Sequence, residues 1–170
     1  MTLRRPLYAM AKPPPDVRAQ IMTLSRTSKE RPEDLLHMTV LAFVDLADFP
    51  PVYVPVLWQV LVGFEADPFD VAFDTIVERK GVTLRSSRPL TAARALQRTL
   101  VRFLESHNFV EFGRPPPDPH VTISYKGDGR GDQRIDPIGW RVEEILLIES
   151  IYGETEHRQR GLVHLNRLLV

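Results

Sequence analysis

The strongest constraint on this 170-residue chain is a pattern that occurs twice. Leu36-His37-Met38-Thr39-Val40 and Pro119-His120-Val121-Thr122-Ile123 each place a histidine two residues ahead of a threonine, inside an apolar stretch that reads as a strand. Side chains two apart on a strand share a face. His37 therefore projects with Thr39, and His120 with Thr122. A helical pattern precedes each stretch. In the first copy Val17, Ile21 and Leu24 fall on one face, and Pro15 and Asp16 suit a first turn. In the second, Thr91 to His107 sets Ala93, Leu96, Leu100, Phe103, Leu104 and His107 on one face, with Thr91 placed to cap the start. A single His-x-Thr carries little information. Two of them in the same helix-then-strand setting, around Asp16 to Val44 and Thr91 to Tyr125, imply two similar lobes facing one cleft.

The remaining segments fit around that repeat. Arg4 to Ala11 reads as a strand that stops at three prolines, and Ser25 to Glu33 as a loop. Leu35 to Val44 is a strand, and Val52 to Phe64 a helix whose regular part follows Pro55. Phe69 to Arg85 is one or two strands turning at Lys80-Gly81, with Val71, Phe73, Thr75 and Val77 opposed to Ala72, Asp74 and Ile76. Gly113 to Pro119 is rigid, His120 to Tyr125 a strand, and Lys126 to Arg134 a loop. Glu143 to Tyr152 is a strand, Gly153 to Gly161 a polar connection, and Leu162 to Leu169 a last strand. This order predicts an α+β fold with mixed or antiparallel sheets, as one domain over residues 1–170.

Composition narrows the chemistry. Lys+Arg and Asp+Glu both number 22, which argues against coating long nucleic acid by bulk charge. With no cysteine, a thiol nucleophile, a disulfide and a Cys-based zinc site are excluded. The five histidines show no HExxH and no helical ligand spacing, so no metal and no cofactor is expected. Met1 to Met10 lacks a signal-peptide core, and the longest apolar run, Val54 to Phe64, is too short to span a bilayer. A soluble, cytoplasmic monomer without a membrane partner is the expectation.

Two imidazoles that titrate near neutrality can divide the work of proton acceptor and proton donor. A threonine beside each can donate its hydroxyl to a phosphate oxygen. Two such pairs across a cleft would surround a phosphodiester; the alternative is two core histidines, each bonded to a neighbour. Tyr125 and Tyr8 are candidates to stack on a base or ribose. Lys126, Arg130 and Arg134 could form a phosphate-attracting rim. His107 suits the carbonyls at its helix end, and His157 and His164 read as structural or exposed.

On its paired motifs, HMTV at His37 to Val40 and HVTI at His120 to Ile123, the chain resembles the two-histidine phosphoesterase superfamily. Within it, the likeness is to the bacterial 2′-5′ RNA ligase group, also described as RNA 2′,3′-cyclic phosphodiesterases. The resemblance implies a bilobal α+β fold, with two pseudo-symmetric lobes whose antiparallel sheets line a central groove and helices outside. It implies metal-independent hydrolysis of 2′,3′-cyclic phosphates at RNA ends or on small nucleotides to 2′-phosphates, with reversible 2′-5′ RNA ligation in some members. Carried over, His120 is the base that activates water, His37 the acid on the departing 3′ oxygen, and Thr39 and Thr122 hold the phosphate; the two histidine roles could be exchanged. Some relatives carry an arginine where this chain has Tyr125. A module of the same fold that binds a nucleotide or RNA end without turnover is the alternative.

Overall fold

The computed structural model describes residues 3–166. The elements run β1 (Pro6–Ala11), α1 (Pro15–Met22), a 3-10 turn (Glu33–Leu35), β2 (Met38–Asp45), α2 (Tyr53–Leu61), β3 (Phe69–Glu78) and β4 (Val82–Arg85). They continue with α3 (Thr91–Ser106), β5 (Val121–Ser124), β6 (Gln133–Val142), β7 (Glu144–Ile151) and β8 (Glu156–His164). The strands form one eight-stranded sheet in the order β6-β3-β4-β5-β2-β1-β7-β8. Every neighbouring pair is antiparallel.

The order is symmetric about the line between β5 and β2. On one side β4-α3-β5 is flanked by β3 and β6; on the other β1-α1-β2 is flanked by β7 and β8. Each lobe thus carries one copy of the sequence repeat. The lobes meet through the single pair Met38 with Val121. They are also braced crosswise. The loop after α1 reaches the opposite lobe, where the Ser28 N–H donates to the Ile123 carbonyl at 2.9 Å. The loop after α3 does the reverse, with the Gly113 N–H donating to the Ala42 carbonyl at 2.8 Å.

One face of the sheet is covered. Met38, Val40, Val121, Ile123, Leu84 and Phe73 are buried there with Leu96, Leu100 and Leu104 of α3 and Leu57 of α2. Burial alternates through both repeats, so His37, Thr39, Thr122 and Ser124 take the opposite, more open face. α2 sits close to β8: a Cβ at Gly161 would lie 2.4 Å from the Trp58 ring, which requires glycine there.

Four expectations need correction. Thr91 does not cap α3: Leu90 occupies the N-cap position, without a side-chain hydrogen bond. The alternation along β3 breaks at an irregularity between Phe73 and Thr75, so Phe69, Val71, Phe73 and then Ile76 are buried. β6 runs through residues that the sequence pattern assigns to no strand, because Pro137 and Gly139 interrupt it. It is an edge strand bonded only to β3, where a proline is tolerated. β8 starts at Glu156, inside the expected polar connection; its charged residues, including Arg158 and Arg160, suit a sheet edge. The end of the expected last strand, residues 167–169, lies outside the described residues.

Candidate active site

Both histidines stand at the entrance to a strand, one residue before it begins. Leu36 and Pro119, each immediately before its histidine, are buried and fix the entry of the chain. His37 Nδ1 lies 2.7 Å from the Leu35 carbonyl, and His120 Nδ1 lies 2.9 Å from the Asp118 carbonyl. In both, the partner is two residues upstream. A carbonyl only accepts, so each Nδ1 carries the proton and each Nε2 is left free for proton transfer. Pairing of Met38 with Val121 sets His37 across from Thr122, and Thr39 across from His120. Cross-strand neighbours lie about 5 Å apart at Cβ and diagonal ones about 7 Å. The four side chains therefore form one compact quadrilateral, with the imidazoles on its diagonal.

A cavity of about 690 Å³ opens beside this group. His37, Thr39 and Thr122 line it, with Met10, Leu35 and Ile151 as apolar surface and Tyr8, Tyr125 and Tyr152 around it. Thr122, Ser124, Tyr125 and Lys126, rather than His120, form the wall on the second-lobe side. Burial, reinforced by the charges of Arg31, Lys12 and His120, pushes the His37 imidazole down to about 4, against the Leu35 hydrogen bond. His37 is therefore neutral at neutral pH. Among the described residues no three His, Cys, Asp or Glu side chains converge as a possible metal site.

The sequence missed two residues here. His157, read as structural or exposed, comes from β8 and packs edge-on against His37, with ring centroids 5.3 Å apart. Burial drives it down to about 3, helped by His37, Lys12 and Arg31, and its buried Nδ1 has no partner. Nothing local marks it; only the β7–β8 pairing of Ser150 with His157 brings it in. The second is Arg31, which lines the cavity and lies over the Tyr125 ring, 4.6 Å from its centroid. Of the three expected rim cations only Lys126 lines the cavity. Arg130 pairs with Asp128 at 3.2 Å and Arg134 with Asp74 at 3.5 Å. His107 behaves as expected, its Nδ1 2.9 Å from the Phe103 carbonyl.

A symmetric antiparallel sheet with a His-x-Thr pair from each half matches the architecture that the sequence resemblance implies. Similar solved structures agree on the fold. E. coli LigT complexed with 3'-AMP matches with a TM-score of 0.75 at 16% identity, over 96% of this chain and 99% of that one. E. coli LigT complexed with NADP+ gives 0.74 at 18%, over 96% and 99%. TT0787 of Thermus thermophilus gives 0.68 at 17%, over 94% and 97%. No curated protein matches the sequence. The family model of the 2'-5' RNA ligase superfamily matches residues 13–151, and the chain belongs to that superfamily. Among the described residues no helix is long and apolar enough to cross a membrane.

Proposed function

We propose that this protein, acting as one domain, hydrolyses 2′,3′-cyclic phosphodiesters at RNA ends or on small nucleotides to 2′-phosphates, using His37 and His120 as its acid–base pair without a metal. The observation that carries this reading is the matched pair of Nδ1-to-carbonyl hydrogen bonds at Leu35 and Asp118. They leave one imidazole Nε2 for the attacking oxygen and one for the departing oxygen.

The setting of His37 favours a definite division of labour. Its imidazole, pushed down to about 4 by burial, is the neutral proton acceptor. Water attacks phosphorus as His37 Nε2 takes its proton. The P–O3′ bond breaks as His120, in its protonated form, delivers a proton to O3′. Solvent exchange then returns both imidazoles to their starting states. This is the exchanged form of the roles implied by the resemblance. Thr39 and Thr122 donate their hydroxyls to the non-bridging phosphate oxygens, as preorganised donors at developing charge. A nucleoside fits among Tyr8, Tyr125 and Tyr152, whose rings offer stacking surface. Nucleotides bound in structural neighbours, 3'-AMP, NADP+ and ATP, are consistent with a nucleotide-sized ligand. With the 5′-hydroxyl of another RNA end in place of water, the same pair would form the P–O5′ bond, break P–O3′ and leave a 2′-5′ linkage, the ligation reaction; its reverse returns the cyclic phosphate.

The test is incubation with a 2′,3′-cyclic nucleotide in the presence of a chelator. Formation of the 2′-phosphate supports the enzyme. Tight binding with no product would establish a binding module instead, and activity restored only by added zinc or manganese would replace the histidine pair with a metal hydroxide.

A further inference from the structure

We propose that Arg31 is the phosphate-binding cation of this site, held over it by the ring of Tyr125. The inference deepens the function proposed above and rests on the same cavity.

Arg31 sits six residues before His37, in the loop that leads into the 3-10 turn. It lines the cavity with His37, Thr39 and Thr122. Its guanidinium lies 4.6 Å from the Tyr125 centroid, a cation–π contact joining the first lobe to the end of β5. Its Nη2 makes only a long contact, 3.4 Å, to the Leu35 carbonyl, the same oxygen that receives His37 Nδ1. Its Nη1 is buried with no partner. Among the described residues no carboxylate pairs with it, although Glu30 lines the same cavity. Three arginines lining a recess of the second lobe, by contrast, are each engaged: Arg79 with Asp132, Arg85 with Asp118, and Arg134 with Asp74.

A buried donor without an acceptor is costly. A guanidinium kept unneutralised beside two imidazoles is costlier, since its charge helps to depress both His37 and His157. An arriving phosphate resolves both. Its oxygens accept from Arg31, in the forked geometry that suits a guanidinium. Its negative charge cancels the field that the cation sets on His37. Lys126 also lines the cavity, but its exposed side chain is not anchored. Of the two cations that line the cavity, Arg31 is the one whose position is fixed in advance.

The probes are inorganic phosphate and adenosine 2′-monophosphate, titrated calorimetrically. Arg31→Met should weaken both by roughly 10- to 100-fold, Arg31→Lys should recover part of the loss, and Arg102→Met, on the exposed side of α3, should stay within about twofold of the parent. Tyr125→Ala, at an exposed position, should cost inorganic phosphate about 2- to 5-fold and nothing further in the Arg31→Met background. It also supplies a folded reading should Arg31→Met not fold. The free-enzyme pH profile adds a readout that packing alone would not move: Arg31→Met should shift its acidic limb upward. Inorganic phosphate bound by Arg31→Met within twofold of the parent overturns the assignment, as does no binding of it by the parent or a full multiplicative loss of inorganic phosphate from Tyr125→Ala. Phosphate binding needs no turnover. Loss of binding in Arg31→Met, with no opening of cyclic phosphate by the parent, would sink the proposed reaction and leave this inference standing.

Discussion

The two lobes share a backbone device and differ in what surrounds it. Around His37 the site is enclosed: apolar Met10, Leu35 and Ile151, tyrosine rings, and a second imidazole from His157. Beyond His120 lies a second recess, about 560 Å³, lined by Thr75, Arg79, Arg85, Asp118 and Arg134, where charges meet charges. The carbonyl of Asp118 receives His120 Nδ1 while its carboxylate pairs with Arg85 at 2.5 Å. Leu35, the equivalent residue of the first lobe, has no such side chain to offer. The same motif is thus placed in two different surroundings, one largely apolar and one lined by paired charges.

The largest effect should come from removing either half. His37→Ala and His120→Ala are each expected to lower turnover of a 2′,3′-cyclic nucleotide by roughly 10² to 10⁴-fold. The double variant should fall far short of the product of the two, because both groups act in one step. Steady-state rates on folded variants check this. Near-native turnover in either one would show that the lobes are not joint partners.

The braces between the lobes offer a second contrast. Where the loop after α1 meets the second lobe, buried Arg26 forks onto Asp128 at 2.9 and 2.7 Å and reaches Glu78 at 2.9 Å. Glu78 in turn accepts the backbone N–H groups of Gly129 and Gly131. Where the loop after α3 meets the first lobe, the brace is neutral: the Gln97 amide donates to the carbonyls of Val40 at 3.3 Å and Pro116 at 3.1 Å. Arg26→Met removes the buried cation shared by Asp128 and Glu78, which keep Arg130 and the Gly129 and Gly131 N–H groups, and should be the more destabilising of the two changes. Gln97→Leu should cost about 1 kcal/mol. Denaturant unfolding of both variants decides it, and equal losses would erase the distinction between an ionic and a neutral brace.

Much of this was legible in the sequence because the repeat is local. The two-residue spacing of His37 and Thr39, and of His120 and Thr122, fixed their shared face, and the repeat itself implied the two lobes. What stayed hidden depends on long-range pairing. His157 reaches the site through the register of β8 on β7, which no short window contains. Arg31 reads as part of a polar loop, since its stacking on Tyr125 spans 94 positions of sequence. β6 hides for a different reason: an edge strand tolerates the proline that argues against a central one.

His157 makes the enclosure of His37 measurable. The acidic limb of kcat/KM reports the essential base of the free enzyme. With His37 pushed down to about 4, that limb should lie well below the 6.5 of an unperturbed imidazole, and activity should persist well below neutrality. His157→Ala should admit water beside His37, weaken the desolvation, and raise the limb by about one pH unit. Arg31, Lys12 and His120 remain to hold it partly down. Stability follows the same sign. Both imidazoles bind protons more readily unfolded than folded, so the protein should lose stability as pH falls from about 6.5 towards about 4 for His37 and about 3 for His157. Thermal unfolding across that range should be less pH-dependent in His157→Phe, which keeps an aromatic ring and removes the titration. An unmoved limb in His157→Ala would mean that His157 does not govern the setting of His37.

The smallest expected effect tests the second lobe. Arg85 reaches Asp118 with Nη1 and also donates from Nε to the Thr83 hydroxyl at 3.0 Å, tying the proline-rich approach of His120 to β4. Thr83 pairs directly with Thr122, so Arg85 sits two residues along β4 from the partner of the threonine proposed to hold the phosphate. It touches neither imidazole. Arg85→Met should therefore act through Asp118, by loosening the carbonyl that orients His120. Because the Arg85–Asp118 pair is partly exposed, its loss should change global stability by no more than about 1 kcal/mol. Turnover should fall about 2- to 5-fold, as expected when a supporting contact slackens and the acid itself remains. KM should hold, since Arg31, Thr39 and Thr122 stay in place to receive the phosphate. Arg85→Lys, which keeps the charge but loses the fork, should fall between the two. A rise in KM with unchanged kcat would instead make Arg85 a substrate contact, and the second recess would then be part of the binding surface.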